Sequence, residues 1–316
     1  MLARVRRTIR DRRLLRRGDH VVVACSGGPD SVALVHVLAR LAPELGFTVA
    51  VAAVDHGLRP EAAGEVAWVG RMARASGLPF HPLDVRVTPG PSVQAHARAA
   101  RYGALLGLAR TLGARRIATG HTLDDQAETV LARLLRGAGV TGLSAIAPRR
   151  RDGVVRPLID CTRAQVRAHL THHGLACLQD PSNRDRRYER VRLREELLPR
   201  LAQEDPQVAE HLASLADEAR ATARWAQRRG RRLVERSAGA GALCTSRLRA
   251  APPPVRRAAL RQWVGRATGL DPRRAHLEQL ERALGGRGEI LLPGGVTVRA
   301  ERGWLRIARD GQAGEP

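Results

Sequence analysis

The sequence predicts an α/β protein in which a parallel sheet carries helices on both faces, followed by a helical linker and a small α+β C-terminal domain. In the first half, short runs rich in β-branched residues alternate with helix-length segments, and from Thr162 helical patterns dominate. Such alternation is typical of βαβ units, whose parallel strands are joined by crossover helices. A Pro-Gly-Gly turn at 293–295 predicts two or three short strands near the end of the chain.

The elements of the first half follow one another in a regular order after a short basic helix, Arg4–Arg17. Strands are predicted at Val21–Cys25, Thr48–Val54, Phe80–Val87 and Arg116–Thr119. Helices are predicted at Ser31–Leu41, Glu61–Ser76, Ser92–Leu112 and Asp124–Leu135. The segment Val154–Asp160 could add one more strand or a closing segment.

The second half is mainly helical up to its last thirty or so residues. Helices are predicted at Arg163–His173, Tyr188–Leu201, Pro206–Arg236, Val255–Thr268 and Pro272–Leu284. We expect a domain boundary near Asp205–Glu218, which divides the chain into domains of residues 1–215 and 216–316.

Charge is the strongest global feature of the chain. Its 316 residues carry 54 basic and 31 acidic side chains, a formal net charge of +23, and every basic residue except histidine is an arginine. A GC-rich genome explains the missing lysine but not the excess of charge, because Asp and Glu were equally available. The excess predicts a polyanionic partner, with nucleic acid first.

Several classes of protein are excluded by composition. No stretch of about 20 apolar residues could span a bilayer, and the basic start of the chain does not resemble a secretory signal. The four cysteines form no Cys-x-x-Cys pair, which argues against an iron–sulfur, zinc or disulfide framework. We therefore expect a cytoplasmic protein.

The segment Ser26-Gly27-Gly28-Pro29-Asp30-Ser31 follows the first predicted strand directly and opens a helix. Glycines let backbone N–H groups turn inward, serine hydroxyls add donors, and a helix N-terminus attracts anions. The carboxylate of Asp30 could hold Mg²⁺ against phosphates. The loop therefore predicts a pyrophosphate cradle, although it lacks the lysine of the common phosphate loop.

Polar residues also follow other predicted strands. Asp55 and His56 end the second strand, and Gly120-His121 follow the fourth. Ligands of open parallel sheets bind beyond the carboxyl ends of the strands, so these residues should converge on the Ser26–Ser31 loop.

The quoted loop resembles the signature of the N-type ATP pyrophosphatases, or PP-loop proteins. Within them the chain is similar to the tRNA(Ile)-lysidine synthetases, strongly over roughly Val21–Leu201 and less specifically beyond. The similar blocks, in that family's order, are VDHGLR at 54–59, QAHARAARY at 94–102, TGHTLDDQAETVLARLLRGAG at 119–139, RPLID at 156–160 and DPSNRDRRYERVRLREELLP at 180–199.

The resemblance implies a Rossmann-like PP-loop fold, use of ATP and Mg²⁺, and ligation of free L-lysine to C2 of the wobble cytidine of a CAU-anticodon tRNA(Ile). The cytosine C2 oxygen would attack the α-phosphate, pyrophosphate would leave, and a lysine amine would displace AMP. Residues 1–215 would be the catalytic domain and 216–316 the tRNA-binding domain. A homodimer stays open.

The resemblance also implies roles for single residues. Asp30, Arg101 and His121 would be catalytic, with Asp30 binding the metal and His121 either binding phosphate as imidazolium or polarising the base. ATP would be held by the Ser26–Ser31 loop with Asp55 and His56. The acids that share one side of the helix start would bind the cationic lysine substrate: Asp124, Asp125 and Glu128. Contacts to tRNA are expected from Arg98, Asn183, Arg190 and Arg194.

Arginine-dense stretches at 149–151, 184–194 and 220–236 are expected to track tRNA phosphates. Trp225 and Trp263 are expected to lie in the core rather than to stack on bases.

Two positions depart from the family pattern, and two other functions stay open. Gln94 stands where glutamate is usual, and Val191 where asparagine is usual.

A PP-loop tRNA 2-thiolation enzyme is one alternative, but such enzymes typically carry catalytic or cluster-binding cysteines. The other is a non-catalytic RNA-binding protein that retains a nucleotide-binding fold.

Overall fold

The computed structural model describes residues 1–55, 57, 61–86, 93–178, 189–239 and 242–309, without the side chains at 94 and 309. The chain forms two compact units, Met1–Asp217 and Glu218–Pro316. Among the described residues, no helix combines the length and the apolar character that crossing a membrane requires.

The first unit is built on a five-stranded parallel sheet in the order β3-β2-β1-β4-β5. Its strands are β1 (His20–Ala24), β2 (Thr48–Asp55), β3 (Phe80–Asp84), β4 (Arg116–Ala118) and β5 (Val154–Val155). In register, Val22 of β1 lies between Ala50 of β2 and Ile117 of β4. The expectation of a parallel sheet is confirmed.

Helices surround this sheet. They are α1 (Leu2–Asp11), α2 (Pro29–Leu45), α3 (Ala62–Ala75), α4 (Val93–Thr111), α5 (Leu123–Leu135), α6 (Val140–Leu143) and α7 (Arg163–His172). Two clusters of buried residues lie between helices and sheet: Val21, Val23 and Val51 pack in one, and Val22 and Ile117 in the other. Strand residues that alternate between two buried faces make a strand fully apolar, which is why β1 reads as Val-Val-Val.

The strand order reverses between β1 and β4. From β1 the chain proceeds to β2 and β3 on one side, and then returns to add β4 and β5 on the other. At such a switch point the loops that follow the two central strands diverge and leave a crevice, the usual ligand site of open parallel sheets. Here those loops contain Ser26–Ser31 and Gly120-His121.

The last part of the first unit departs from the expected single helix over 188–201. It consists of α8 (Glu189–Arg192), a π-helical turn (Leu193–Leu197) and α9 (Leu198–Glu204). Single π turns within helices are frequent at functional sites. The long helix α10 (Val208–Ser237) begins in the first unit and continues into the second.

The second unit contains an antiparallel sheet in the order β6-β7-β10-β9-β8. Its further elements are β6 (Ala238–Gly239), β7 (Ala242–Cys244), α11 (Thr245–Arg249), α12 (Pro253–Thr268), α13 (Arg274–Ala283), β8 (Gly288–Leu292), β9 (Val296–Glu301) and β10 (Trp304–Arg309). Leu243, Leu260 and Leu305 are fully buried between helices and sheet.

The segment Val154–Asp160, expected as one more strand or a closing segment, forms a strand over Val154–Val155. After this strand, Thr8 and Arg12 both donate to the Asp160 carboxylate. The expectation for the tryptophans is corrected in part. Trp263 is buried as expected, but Trp225 is 39% exposed on α10, with the Arg229 guanidinium 5.4 Å from its ring centroid.

Candidate active site

The Ser26–Ser31 loop is held by hydrogen bonds of its own. Ser31 Oγ accepts from the Ser26 N–H at 3.2 Å and donates to the Gly28 carbonyl at 2.9 Å. Gly28 is the N-cap of α2 and Pro29 opens the helix, and no side chain caps this N-terminus in the described part of the chain. The positive end of α2 therefore faces the crevice.

Two glycines make the close packing around this loop possible. Gly27 has φ +82°, the left-handed region that glycine adopts without strain. A Cβ on Gly120 would lie 3.0 Å from the Asp30 carbonyl carbon and oxygen and 3.2 Å from the Ser31 nitrogen. The loop after β4 thus lies against the backbone of the Ser26–Ser31 loop, and only a residue without a side chain fits there.

A cavity of about 650 Å³ opens at this edge of the sheet. The charged residues that line it are Asp30, Asp125, Arg98, Arg101, Arg163, Arg167, Arg190 and Arg194. Ser26, Gly28, Pro29, Ser31 and His121 line it as well. Among the residues that the structure describes, six guanidiniums against two carboxylates give the cavity an excess of positive charge, which is suited to a polyanion.

Asp30 carries an unfavourable charge in this cavity. Burial, reinforced by the negative charges of Asp125 and Asp124, raises the pKa of Asp30 to about 6. A cation beside this carboxylate would relieve that cost, so the site fits the Mg²⁺ expected from the sequence.

The acids at the start of α5 are bound by arginines. Arg163 donates to Asp125 Oδ1 and to Glu128 Oε1, both at 2.5 Å. Arg190 donates to the same two carboxylates at 2.8 and 2.7 Å, and Arg194 Nε donates to Glu128 Oε1 at 2.7 Å. The structure thus brings Arg190 and Arg194 onto the acids predicted to bind lysine.

This cluster holds both carboxylates in their charged form. Burial alone would raise the pKa of Asp125, but the charges of Arg163 and Arg190 outweigh it and lower that pKa. For Glu128 the hydrogen bond from Arg194 and the charge of Arg163 do the same.

Asp124 has a different contact. Its Oδ2 accepts the backbone N–H of Arg163 at 2.7 Å, at the N-terminus of α7. Asp125 also closes a capping box with Thr122, accepting the Thr122 N–H at 2.8 Å. The cluster therefore joins the start of α5 to the start of α7.

His121 is half-buried and uncharged at neutral pH. Burial, followed by the positive charge of Arg156, lowers the pKa of His121 to about 3. Its Nδ1 lies 3.0 Å from Thr119 Oγ1. In this state the ring is a neutral hydrogen-bonding group rather than an imidazolium.

Tyr102 organises the arginines of α4. The guanidiniums of Arg98, Arg101 and Arg150 lie 5.1, 5.8 and 4.8 Å from the centroid of its ring. Desolvation of the Arg101 guanidinium lowers its pKa below the usual value, although the residue as a whole is exposed. An aromatic face attracts guanidiniums by cation–π contact, and Arg150 is in addition paired with Asp152.

The remaining predicted residues divide into two groups. Asp55 is not among the residues lining the cavity, and its Oδ1 accepts the Gly57 N–H at 2.8 Å, as in a local turn. His56, Asn183 and the Gln94 side chain lie outside the described residues. Val191, where the sequence departs from the family pattern, is buried and lines the cavity.

Three contributors were missed by the sequence reasoning. Arg163, Arg167 and Tyr102 line the cavity, and Arg163 is the centre of the acid cluster. No motif distinguishes Arg163 among the arginines of the chain, because its partners lie 35 and 38 residues away in sequence. The quoted Arg-Tyr block did contain Tyr102, without a role for it.

Comparison with known proteins places the chain in a family. Residues 2–201 match the PP-loop domain and residues 243–306 match the TilS substrate binding domain. The chain is 40% identical over 324 residues to a tRNA(Ile)-lysidine synthase of Salinispora tropica, an alignment that covers 96% of this chain and 95% of that protein. The chain belongs to the tRNA(Ile)-lysidine synthase family.

Members of this family differ in length. A tRNA(Ile)-lysidine synthase of Symbiobacterium thermophilum is 43% identical over 228 residues, which are 69% of this chain and 47% of that protein. The chain thus aligns with about half the length of that relative. The matched PP-loop domain implies that the chain uses ATP, in agreement with the arginine-rich cavity.

A solved structure shares the fold at low identity. It is a U34-tRNA thiolase from Methanococcus maripaludis, 16% identical, with a TM-score of 0.59 over 69% of this chain and 76% of that one. In this chain all four cysteines are free, and Cys25 is buried behind the loop with Sγ 3.5 Å from Ser31 Oγ. Within the described ranges, no group that could hold a metal includes a cysteine.

Proposed function

We propose that the chain ligates free L-lysine to C2 of the wobble cytidine of a tRNA(Ile) with a CAU anticodon. ATP first adenylates the cytidine and releases pyrophosphate, and a lysine amine then displaces AMP. The observation that carries the proposal is the cavity at the switch point of the sheet. There a backbone phosphate cradle, six arginines and a buried acid cluster face one another.

ATP would enter this cavity phosphates first. The N-terminus of α2 and Ser26 would hold the pyrophosphate portion, while Arg101 would neutralise charge that develops at the α-phosphate. Ser31 donates its hydroxyl hydrogen to Gly28, so we assign it to shaping the loop as well as to contacting ATP. Mg²⁺ held by Asp30 would neutralise charge on the phosphates.

Lysine would bind at the acid cluster by exchange with an arginine. Of the three guanidiniums there, that of Arg190 is the most accessible, with 48% of its side chain exposed against 16% for Arg163 and 29% for Arg194. An ammonium of lysine can take the place of Arg190 without leaving a carboxylate unpaired, which avoids the cost of a buried unpaired charge.

The same exchange would free Arg190 for the nucleic acid. We infer that a released Arg190, together with Arg98 and Arg194, contacts tRNA near the reacting cytidine, with Asn183 contributing from the same block of sequence. Lysine binding and tRNA binding would then favour each other, because one event liberates the group that the other uses.

His121 would act as a neutral group. With its pKa lowered to about 3, it suits a hydrogen bond to the cytosine better than an ion pair with phosphate in the free protein. Bound ATP would add negative charge and raise that pKa.

The second unit would also bind tRNA. It contains the match to the TilS substrate binding domain and the whole arginine-dense stretch 220–236, in which Trp225 is exposed. An exposed tryptophan beside arginines is suited to stack on unpaired bases.

One incubation tests the proposal. The purified chain is mixed with ATP, Mg²⁺, labelled lysine and a tRNA(Ile) transcript bearing CAU. The label should remain on the tRNA after mild base, which removes aminoacyl esters, and release of AMP should equal incorporation. A transcript with a GAU anticodon is the matched control and should stay unlabelled. Absence of stable label, or equal label on both transcripts, would refute the proposal.

A further inference from the structure

Three imidazoles meet where α2 packs against α7. His36 lies in the middle of α2, His169 in the last turn of α7, and His173 directly after α7 ends. His36 Nδ1 is 3.0 Å from His169 Nε2. Each of the three rings offers one nitrogen, and these nitrogens all lie within 4.8 Å of one another.

The sequence and the core explain why the rings converge. His169 and His173 are four residues apart, so that they lie on one side of the helical turn. Val35 and Leu170, each next to one of these histidines, are buried in the same core cluster. The facing positions of the two helices are therefore fixed by packing, and the rings are brought together before any ligand binds.

We propose that His36, His169 and His173 bind one divalent transition-metal ion, such as zinc, with a fourth position open to solvent. Zn–N bonds of 2.0–2.1 Å in a tetrahedral site place ligand nitrogens about 3.3 Å apart. The closest observed pair is slightly shorter than this, and the widest spacing is 4.8 Å. His173 is exposed, so its ring has room to move toward the other two.

The chemistry of the donors selects the kind of ion. Three imidazoles with no carboxylate suit zinc, copper, nickel or cobalt rather than magnesium or calcium. The site is therefore chemically distinct from Asp30, whose carboxylate suits magnesium.

The ion would link two helices that lead into the active site. His36 is six residues along α2 from Asp30, and His169 is six residues along α7 from Arg163, a rise of about 9 Å in each case. A metal bond between the helices would fix the spacing of the two N-termini that carry the metal-binding aspartate and the centre of the acid cluster. We expect the ion to have a structural role, because it would stabilise the packing of α2 against α7 without contacting substrate.

Metal titration of the full chain tests the proposal. The tag-free protein is stripped with a chelator, Co²⁺ is added, and the visible absorption of a tetrahedral nitrogen site is followed, with zinc as competitor. We expect one ion per chain. His173→Ala removes an exposed ligand and should weaken binding by more than the roughly 10- to 100-fold typical of outer partners.

His172→Ala is the matched control. His172 is also exposed and adjacent, but it is not part of the three-ligand group, so this variant should bind as the parent does. Zinc should raise the Tm of the parent and of His172→Ala, but not that of His173→Ala. No binding by the stripped parent, or equal affinity in His173→Ala, would overturn the proposal. Binding without any rise in Tm would overturn the structural role.

Discussion

Glu128 offers the sharpest test of how the site is built. Its side chain is fully buried, and it accepts hydrogen bonds from Arg163, Arg190 and Arg194. Glu128→Ala leaves Arg163 and Arg190 with Asp125 as a partner in this cluster and removes the carboxylate that Arg194 contacts. The variant therefore removes one negative charge from a place where the protein has concentrated three positive ones.

The expected loss of stability follows from the burial of these groups. Removing one partner of a buried ion pair costs about 3–5 kcal/mol. Because 48% of the Arg190 side chain and 29% of the Arg194 side chain are exposed, both can recover hydration, and we expect the lower end, about 3 kcal/mol. For a unit of this size that corresponds to a fall in Tm of roughly 6–12 °C.

The effect should depend on pH in a defined direction. The folded-state pKa of Glu128 lies below its ordinary value of 4.5, so its contribution is complete above that pH and is lost as the pH falls through the folded pKa. The difference in Tm between parent and variant should therefore be constant around neutral pH and shrink under acid conditions.

Kinetics separate a structural role from substrate recognition. If Glu128 binds lysine, loss of a charged hydrogen bond of about 1.5–3 kcal/mol raises the KM for lysine roughly 10- to 100-fold and leaves the KM for ATP within a few-fold. Glu128→Gln keeps the shape and serves where the alanine variant folds poorly. Steady-state labelling measures both constants, and thermal unfolding measures Tm.

Glu44→Ala is the matched control for stability. Glu44 also pairs with an arginine at 2.7 Å, but both side chains are about half exposed, and such surface pairs contribute roughly 0–1 kcal/mol. An unchanged lysine KM in both Glu128 variants would refute the proposed lysine site. A fall in Tm no larger than that of Glu44→Ala would refute the electrostatic reasoning itself.

Three further outcomes are expected. Asp30→Asn should abolish Mg²⁺-dependent AMP release, yet it should raise Tm at pH 7 and raise it less near pH 5. The folded-state pKa of Asp30 is raised from 3.8 to about 6, so the carboxylate destabilises the fold increasingly as the pH rises through that range. A Tm of the variant below that of the parent at pH 7 would contradict this. Gly120→Ala should raise the KM for ATP because its Cβ meets the loop backbone at 3.0 Å, whereas Gly103→Ala, with open space around it, should not; equal kinetics in both variants would contradict this. Binding of tRNA, followed by filter retention, should weaken steeply as salt rises from 50 to 200 mM, by roughly 10³-fold or more if about six phosphates are contacted; salt-independent affinity would contradict the arginine-rich contact surface.

The fold could be predicted from sequence because its signals are local. The strand and helix patterns from Val21 to Leu135 need only neighbouring residues, and the observed elements differ from the predicted ones by a few residues at their ends. The turn and helix start at the Ser26–Ser31 loop could also be predicted, since glycine and proline determine the backbone conformation within a few positions.

What the sequence could not reveal depends on distant contacts. Arg163 is one arginine among many until α7 brings it onto Asp125 and Glu128. The helix around Arg194 was predicted as continuous, because its amphipathic pattern contains no mark of the π turn. The exposure of Trp225 likewise depends on how α10 packs, and an apolar residue in a helical pattern favours the core by default.

The absence of lysine from the chain acquires a meaning from the geometry of the site. A reaction in which an amine attacks an activated carbon is vulnerable to any enzyme amine nearby, since a lysine side chain carries the same nucleophile as the substrate. Binding of ATP requires positive charge in the cavity, and guanidiniums supply it. Guanidiniums remain protonated and do not attack an activated carbon as an amine would. Arginine composition set by the genome thus fits the proposed reaction, in which the substrate supplies the amine nucleophile. In that proposal the buried carboxylates keep Arg163 and Arg194 in place, while the more exposed Arg190 would give up its position to the incoming ammonium.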